Sequence, residues 1–135
     1  MTPLQGRCLC GGVKFEVTEP FDRVGICHCA SCKKISGGAG TASGRVRTDA
    51  IRILEGEELL TRYQPAEGSA KTFCSRCGTN LFGGGWPENP TTPVRLPALA
   101  EPYEGKIEAH LFVRSVAPWE QLPDDDAPRY DGRAP

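Results

Sequence analysis

Seven cysteines in three tight groups constrain the fold of this chain more than any other feature of its sequence. Neighbouring cysteines in a group are separated by only one or two residues, and such pairs can converge on one metal ion because a tight turn aims both sulfurs at one point. Structural zinc takes four protein ligands in a tetrahedron, whereas catalytic zinc takes three and keeps a fourth position open. Seven divides into four plus three, so the sequence predicts one closed zinc site and one open one. The groups are Cys8 and Cys10; Cys27, Cys29 and Cys32; and Cys74 and Cys77.

A disulfide framework is the alternative interpretation of these cysteines. An odd number of cysteines at such short spacings suits disulfide pairing poorly. Residues Met1 to Gln5 do not begin a charged and then apolar secretory signal. We therefore expect a cytoplasmic protein with reduced thiols, and in a reducing compartment these spacings favour a metal over disulfide bonds.

Length and composition indicate a single small domain. The 135 residues suffice for one core of modest size, which we place within one domain spanning residues 1–135. A net charge of −1 gives no basic surface for nucleic acid, and no apolar run approaches the roughly 20 residues that span a bilayer. The 16 glycines and 12 prolines disfavour long helices and favour short strands joined by turns. Bound metal should then supply part of the stability.

Local patterns predict an all-β fold of short antiparallel strands. Apolar and polar residues alternate along Val13–Val17 and again along Ile51–Ile53, with the period of a half-buried strand. A helix is plausible only at Cys29–Ile35, where Gly37 would end it, and at Pro118–Gln121. Residues 83–93 are rich in glycine and proline, so we expect neither helix nor central strand there. Further strands are predicted at Leu59–Tyr63, Lys71–Phe73, Thr79–Phe82, Val94–Leu99 and Ile107–Val113.

The arrangement of the cysteine groups suggests which of them share a metal. The two outer pairs would form a closed four-thiolate site that ties the N-terminal strand to a distant hairpin, where closing a long loop stabilises most. The central group of three would hold a second zinc with a vacant corner. Alternatively His28 or His110 supplies a fourth ligand and closes this site as well. His28 lies between two ligands, so its ring is expected to point away from the metal, and His110 also fits a polar residue at a sheet edge.

Several longer motifs resemble one known family. Cys8-x-Cys10-Gly11-Gly12-Val13 is followed by Cys27-His28-Cys29-x-x-Cys32-Lys33-Lys34 with Ser36-Gly37 behind it. Phe73-Cys74-x-x-Cys77-Gly78-Thr79-x-Leu81-Phe82 and His110-Leu111-Phe112-Val113-x-Ser115-x-Ala117-Pro118-Trp119 come later. Together, and in this order, they resemble the glutathione-dependent formaldehyde-activating enzyme family. The resemblance extends from about residue 6 to residue 119, which leaves residues 120–135 as a polar C-terminal tail whose acidic run we expect to be solvated.

The resemblance implies a fold, two zinc ions and an activity. The family's fold is a zinc-stapled, all-β arrangement sometimes called a β-tent. The activity of its founding type is condensation of formaldehyde with glutathione to S-hydroxymethylglutathione, classed as a carbon–sulfur lyase in the reverse direction. Carried over to this chain, the structural zinc would be bound by Cys8, Cys10, Cys74 and Cys77, and the catalytic zinc by Cys27, Cys29 and Cys32.

The predicted substrate is a small thiol such as glutathione. Zinc coordination would hold its sulfur as the nucleophilic thiolate, although three cysteine thiolates already leave the metal centre with a formal charge of −1 and weaken its pull on a carbonyl. The two carboxylates of glutathione could meet Lys33 and Lys34, or Arg45 and Arg47, which are otherwise ordinary solvated charges. Two alternatives stay open: a non-catalytic zinc-binding domain for a thiol or protein partner, and a thiol redox enzyme, which is disfavoured because every cysteine belongs to a cluster.

Overall fold

A computed structural model describes residues 2–135 and confirms an all-β fold. Ten strands are described, together with one α-helix and four short 3-10 turns at Thr48–Ala50, Glu57–Leu59, Leu96–Ala98 and Val113–Ser115. The strands and helix, in chain order, are β1 (Leu4–Arg7), β2 (Lys14–Val17), β3 (Arg23–Cys27), α1 (Ala30–Ser36), β4 (Thr41–Arg47), β5 (Ile51–Glu55), β6 (Leu60–Tyr63), β7 (Lys71–Cys74), β8 (Asn80–Phe82), β9 (Thr91–Arg95) and β10 (Ala109–Leu111).

The strands form two sheets of unequal size. The smaller sheet has three strands in the order β1-β2-β5, and the larger has seven in the order β10-β3-β4-β9-β8-β7-β6. Neighbouring strands run antiparallel, as expected, except that β10 lies parallel to β3. This parallel pairing brings residues that are far apart in sequence beside the central cysteine group, because Leu111 is the register partner of Cys27.

The core lies where the two sheets pack together. On β2, the alternate residues Phe15 and Val17 are buried, while Lys14 is exposed, so the predicted alternation is realised. The ring of Phe15 meets the ring of Phe82 on β8 edge to face, with 5.0 Å between their centroids. Gly6 lies directly under Phe15, and a Cβ at that position would stand 2.1 Å from the ring.

Proline within a central strand is the main departure from the predicted pattern. Residues 91–93 belong to β9, between β4 and β8, although no central strand was expected there. Proline lacks the N–H that would donate a hydrogen bond to β8. It is tolerated at position 93 because β8 has already ended, at Phe82, where that N–H would lie. Its carbonyl accepts from Gly83, and the Gly83 carbonyl accepts from Trp86 instead. The strand then ends at Arg95, so the prediction that it extends from Val94 to Leu99 is wrong beyond that residue.

Other differences concern weakly patterned segments. The prediction of a helix at Pro118–Gln121 is wrong, since the chain makes only a turn there, with Glu120 N–H donating to the Ala117 carbonyl. The helix after the central cysteines is present, and Gly37 ends it in the left-handed conformation at a φ of 71°. Three strands were not predicted: β1, β3 and β4.

The C-terminal segment lies along β10. His110 N–H donates to the Pro128 carbonyl and Tyr130 N–H donates to the His110 carbonyl, which forms an isolated parallel bridge. The acidic run at residues 124–126 is exposed, as expected for a solvated tail, but Asp125 also binds a buried side chain of the domain. Within residues 2–135, no helix is both long and apolar enough to cross a membrane.

Candidate metal centres

The two outer cysteine pairs meet at one point, as the sequence predicted. The sulfurs of this four-cysteine cluster all lie within 4.8 Å of one another. Cys8 Sγ is 3.5 Å from Cys10 Sγ, and Cys10 Sγ is 3.9 Å from Cys74 Sγ. Cys8 and Cys74 are buried, whereas Cys10 is exposed. All seven cysteines of the chain are free thiols, and this cluster could hold a metal ion.

Tight turns aim these sulfurs. Gly11 N–H donates to the Cys8 carbonyl at 3.0 Å, and Val13 N–H donates to the Cys8 sulfur at 3.2 Å. In the second turn, Gly78 N–H donates to the Cys74 carbonyl at 2.8 Å. Gly11 and Gly78 have φ values of 76° and 79°, a left-handed conformation that glycine adopts without steric cost. The glycines following the cysteine pairs therefore let each turn close.

Hydrogen bonding makes this cluster receptive to a cation. The Thr79 hydroxyl, 3.2 Å from the Cys77 sulfur, lowers the pKa of the Cys77 thiol to about 5. Burial raises the pKa of the Cys74 thiol, because a thiolate loses its hydration when it is taken out of water. A bound metal ion would compensate for that burial, because it stabilises the thiolate form directly.

The three-cysteine cluster forms at the junction of β3 and α1. The sulfurs of Cys27, Cys29 and Cys32 lie within 4.8 Å of one another, so this cluster could also hold a metal ion. Cys27 ends β3, Cys29 caps the helix and Cys32 lies in its first turn. The Cys29 sulfur accepts a hydrogen bond from Cys32 N–H at 3.4 Å, as a helix-capping side chain does.

Within this cluster one thiol is set to ionise first. A hydrogen bond from Cys27 is the largest influence that lowers the pKa of Cys32, to about 5. The Thr41 hydroxyl lowers it further, although its geometry falls short of a hydrogen bond, and the positive charge of Arg95 acts in the same direction. The same hydrogen bond, together with burial, raises the pKa of Cys27. Without a metal, the negative charge therefore concentrates on Cys32.

Neither histidine joins the cysteines. His28 Nδ1 lies 3.1 Å from the Ala39 carbonyl, and its Nε2 lies 3.0 Å from His110 Nδ1. His110 Nε2 lies 2.8 Å from an Asp125 carboxylate oxygen. All four ring nitrogens are thus occupied in one buried row, and none is free to bind a metal. The alternative in which His28 or His110 closes the second site finds no support in this geometry.

The hydrogen bonds of this row require three protons. Three hydrogen bonds join the Ala39 carbonyl, the two rings and the Asp125 carboxylate, and each needs one proton. Two neutral imidazoles carry only two ring protons, because each has one donor and one acceptor nitrogen. A third proton must therefore be present, either on an imidazolium facing ionised Asp125 or on Asp125 itself. The row connects the C-terminal segment to the loop that carries Cys27 and Cys29.

The basic residues predicted to meet glutathione are mostly engaged elsewhere. Lys33 Nζ donates to the Ser115 carbonyl and lies 3.6 Å from the buried Glu120 carboxylate. Arg45 makes a two-pronged contact with Asp22, and Arg47 pairs with acidic neighbours. Lys34 is exposed near the end of α1.

A pocket of about 260 Å³ is lined by residues that neighbour both clusters. Thr41 and Arg95 contribute from the side of the three-cysteine cluster, and Gly78 and Asn80 from the turn that carries Cys77. Sequence reasoning missed Arg95 as a site residue. Its one signal is a charged side chain inside an apolar run, Val94-Arg95-Leu96, which is unusual in a buried strand.

Comparison with known proteins identifies similar chains. The model of a family described as "Glutathione-dependent formaldehyde-activating enzyme" matches residues 3–115. A curated protein of Halomonas elongata, named "Putative glutathione-dependent formaldehyde-activating enzyme", is 28% identical over 137 aligned positions, which cover 88% of this chain and 80% of that protein. A crystal structure of a Rhodobacter sphaeroides protein superposes with a TM-score of 0.62 at 24% identity, covering 77% of this chain and 97% of that one, and shows a shared fold.

Proposed function

The chain belongs to the glutathione-dependent formaldehyde-activating enzyme family, and from this premise we propose that it is a zinc-dependent enzyme of the carbon–sulfur lyase type. It would add a small aldehyde such as formaldehyde to a thiol such as glutathione, or release the aldehyde from the adduct. The family and the two cysteine clusters support this proposal.

The main support for the proposal is that one cluster has four cysteine sulfurs and the other has three. Four sulfurs converge in one cluster and can complete a tetrahedron alone, whereas three converge in the other. Both histidines near the three-cysteine cluster are bound to other partners, so no imidazole supplies its fourth ligand. An open corner beside a pocket is where a substrate sulfur would enter.

The donor set fits zinc. Thiolates at about 2.3 Å from zinc stand about 3.8 Å apart at the corners of a tetrahedron. Two sulfur separations in the four-cysteine cluster, 3.5 and 3.9 Å, agree with that spacing. We therefore assign Cys8, Cys10, Cys74 and Cys77 to a structural zinc. The three sulfurs of the second cluster, Cys27, Cys29 and Cys32, are assigned to a second zinc.

Side chains of this protein would position the cysteine ligands and the thiol substrate. When bound, the second zinc supplies a site that keeps a substrate thiol deprotonated at neutral pH. The His28–His110–Asp125 row holds the Cys27–Cys29 loop in place, and α1 holds Cys32. Lys34, which is exposed on the same helix, is the better candidate than Lys33 to meet a carboxylate of glutathione, since Lys33 binds Ser115 and Glu120.

The experiment that tests this proposal combines zinc stoichiometry with thiol binding. Freshly reduced parent protein should carry two zinc ions and bind glutathione by titration calorimetry. Cys29→Ser should carry one zinc ion and bind no glutathione, because two sulfurs do not hold the second ion. Ser31→Ala, an exposed change two residues away in the first turn of α1, serves as the matched control and should behave like the parent.

Other results would favour the alternatives. One zinc ion in both the parent and Cys29→Ser, with no thiol binding, would leave a zinc-stapled β domain without a catalytic centre. Two zinc ions and tight glutathione binding, with no acceleration of S-hydroxymethylglutathione formation, would indicate a non-catalytic thiol-binding domain.

A further inference from the structure

Three unpaired polar atoms belong to residues that line the pocket next to the two clusters. Among residues 2–135, the buried side-chain atoms without a hydrogen-bond partner are Thr41 Oγ1, Asn80 Oδ1 and Arg95 Nε. All three residues line this same pocket of about 260 Å³. Buried polar atoms are nearly always hydrogen-bonded in folded proteins, so their concentration around one cavity indicates a place for a polar ligand.

Arg95 carries the charge in this pocket. The residue is 7% exposed, and its Nη1 donates to Ser43 Oγ at 2.8 Å. The buried carboxylate of Glu120 pairs with Lys33, but Arg95 forms no ion pair with a carboxylate of the described chain. A buried charge is costly without a counter-charge, and here the negative charge of the three-cysteine cluster favours the charged guanidinium.

The backbone makes room for the guanidinium. A Cβ at Gly83 would lie 2.4 Å from Arg95 Nη2, so any side chain at this position would push the group away. Ser43 is the register partner of Arg95 on β4, and Thr41 lies two residues before it on the same face. The guanidinium and the Thr41 hydroxyl are therefore held by rigid strands beside the three-cysteine cluster.

We propose that Arg95 is a catalytic residue that binds the carbonyl oxygen of the aldehyde and stabilises the negative charge this oxygen acquires, with Thr41 as a second donor. The inference rests on the proposed function. A centre of zinc and three thiolates has a formal charge of −1 and polarises a carbonyl weakly, so positive charge must come from elsewhere. The guanidinium supplies it in a buried site, where hydrogen bonds to a developing oxyanion are strong.

The position and size of the pocket favour the aldehyde over the distant carboxylates of the thiol. Arg95 is the register partner of Ser43 on β4, and Thr41, on the same face of that strand, is the register partner of Cys27, so a group bound by Arg95 and Thr41 lies next to the open cluster. A pocket of about 260 Å³ is smaller than the roughly 300–1,000 Å³ typical of sites for whole drug-sized ligands. It suits the small reacting end of the substrates.

The step balances without an added oxidant or reductant. The substrate thiolate donates an electron pair to the carbonyl carbon and forms the carbon–sulfur bond. The π electron pair of the carbonyl moves onto its oxygen, and Arg95 Nε–H and the Thr41 hydroxyl donate hydrogen bonds to the resulting alkoxide. A proton from water, equal to the one the thiol lost to solvent, then completes the S-hydroxymethyl group.

Formate provides a probe for this oxygen site because it is a one-carbon anion that cannot react with a thiol. Zinc-loaded parent protein is titrated with formate and compared with Arg95→Gln, Arg95→Lys and Thr41→Val. We expect Arg95→Gln to weaken formate binding about tenfold or more, as the loss of a charge-assisted hydrogen bond does. Arg95→Lys should weaken it less, because the positive charge remains. Arg52→Gln, which alters an exposed arginine of the small sheet, is the matched control.

Separate readouts distinguish this inference from the proposed function. Equal formate affinity in the parent and Arg95→Gln, at equal zinc content and melting temperature, would overturn the role of Arg95. If Arg95→Gln does not fold, Thr41→Val decides, and unchanged formate affinity in that variant would overturn the oxygen site. Glutathione affinity should be unchanged in Thr41→Val while kcat falls. If the protein binds formate through Arg95 but binds no glutathione, the anion site at Arg95 is supported and the proposed thiol chemistry is wrong.

Discussion

Individual cysteines of the two clusters should contribute unequally to stability. Cys74 is buried in the cluster that joins β7 to the N-terminal turn, so Cys74→Ser would remove a ligand of the proposed structural zinc and is expected to unfold the domain. Cys29 lies in a surface loop, and Cys29→Ser should leave a folded protein with one zinc ion fewer. Circular dichroism and zinc analysis of both variants test the assignment, which is wrong if Cys74→Ser melts like the parent.

A single glycine under the core provides a second test at the residue scale. Any Cβ at Gly6 would stand 2.1 Å from the Phe15 ring, so Gly6→Ala must displace that ring or the β1 backbone. We expect a loss of about 1–3 kcal/mol in the free energy of unfolding, as for other overpacked cores. Gly38→Ala, whose added Cβ would meet only the Ser36 side chain at 3.8 Å, is the control for the change itself. Denaturant unfolding of both variants measures the difference, and equal stabilities would contradict this packing.

Among the secondary-structure elements, the C-terminal segment depends on the buried histidine row. Asp125→Ala would leave His110 Nε2 without its partner, whereas Asp125→Asn could still donate an amide proton to that nitrogen. In Asp125→Asn the amide supplies the third hydrogen-bonding proton, so two neutral imidazoles satisfy every hydrogen bond of the row. We therefore expect Asp125→Ala to have the lower melting temperature of the two variants. Asp124→Asn, an exposed change one residue away, should melt like the parent.

The same row predicts a pH dependence. The hydrogen bond to His110 holds the pKa of the Asp125 carboxyl below its usual value of 3.8. A depressed carboxyl pKa stabilises the folded state above pH 3.8, and this stabilisation is lost as the pH falls through the lower folded-state value. The difference in melting temperature between parent and Asp125→Asn should therefore shrink in acid. A difference that stays constant from about pH 7 to about pH 3 would contradict a charged Asp125.

The docked segment also bears on the domain boundaries. Residues 128–132 hydrogen-bond to β10 and to the residues that follow it, so the segment outside the motif-bearing core of about residues 6–119 is attached to that core. This attachment supports our proposal of one domain over residues 1–135. Its acidic run remains exposed, yet the Asp125 carboxylate completes the hydrogen-bonded row that supports the segment carrying Cys27 and Cys29.

For the molecule as a whole, the sequence predicted those strands and cysteine clusters that are set by the spacing of nearby residues. Alternating apolar residues located β2 and β5, and the intervals between cysteines located both clusters. The segments that form β1, β3 and β4 contain glycines and polar residues, so their pairing is decided by neighbouring strands. The contact of His28 with His110 and the approach of Arg95 to the cysteines join residues that are distant in sequence, and no local pattern reports them.

The unequal clusters predict that metal loss from the whole molecule occurs in two steps. A chelator should first remove the ion held by three sulfurs, since a site with an open corner exchanges its metal more readily than a closed site of four thiolates. The fold should persist through this first step, because the four-cysteine cluster still joins the N-terminal turn to β7. Removal of the second ion should then unfold the domain, as binding free energy at a structural site is folding free energy. Zinc release followed with a colorimetric chelator, alongside circular dichroism, measures both steps. Loss of both ions in a single step coincident with unfolding would show that the two centres do not have separate roles.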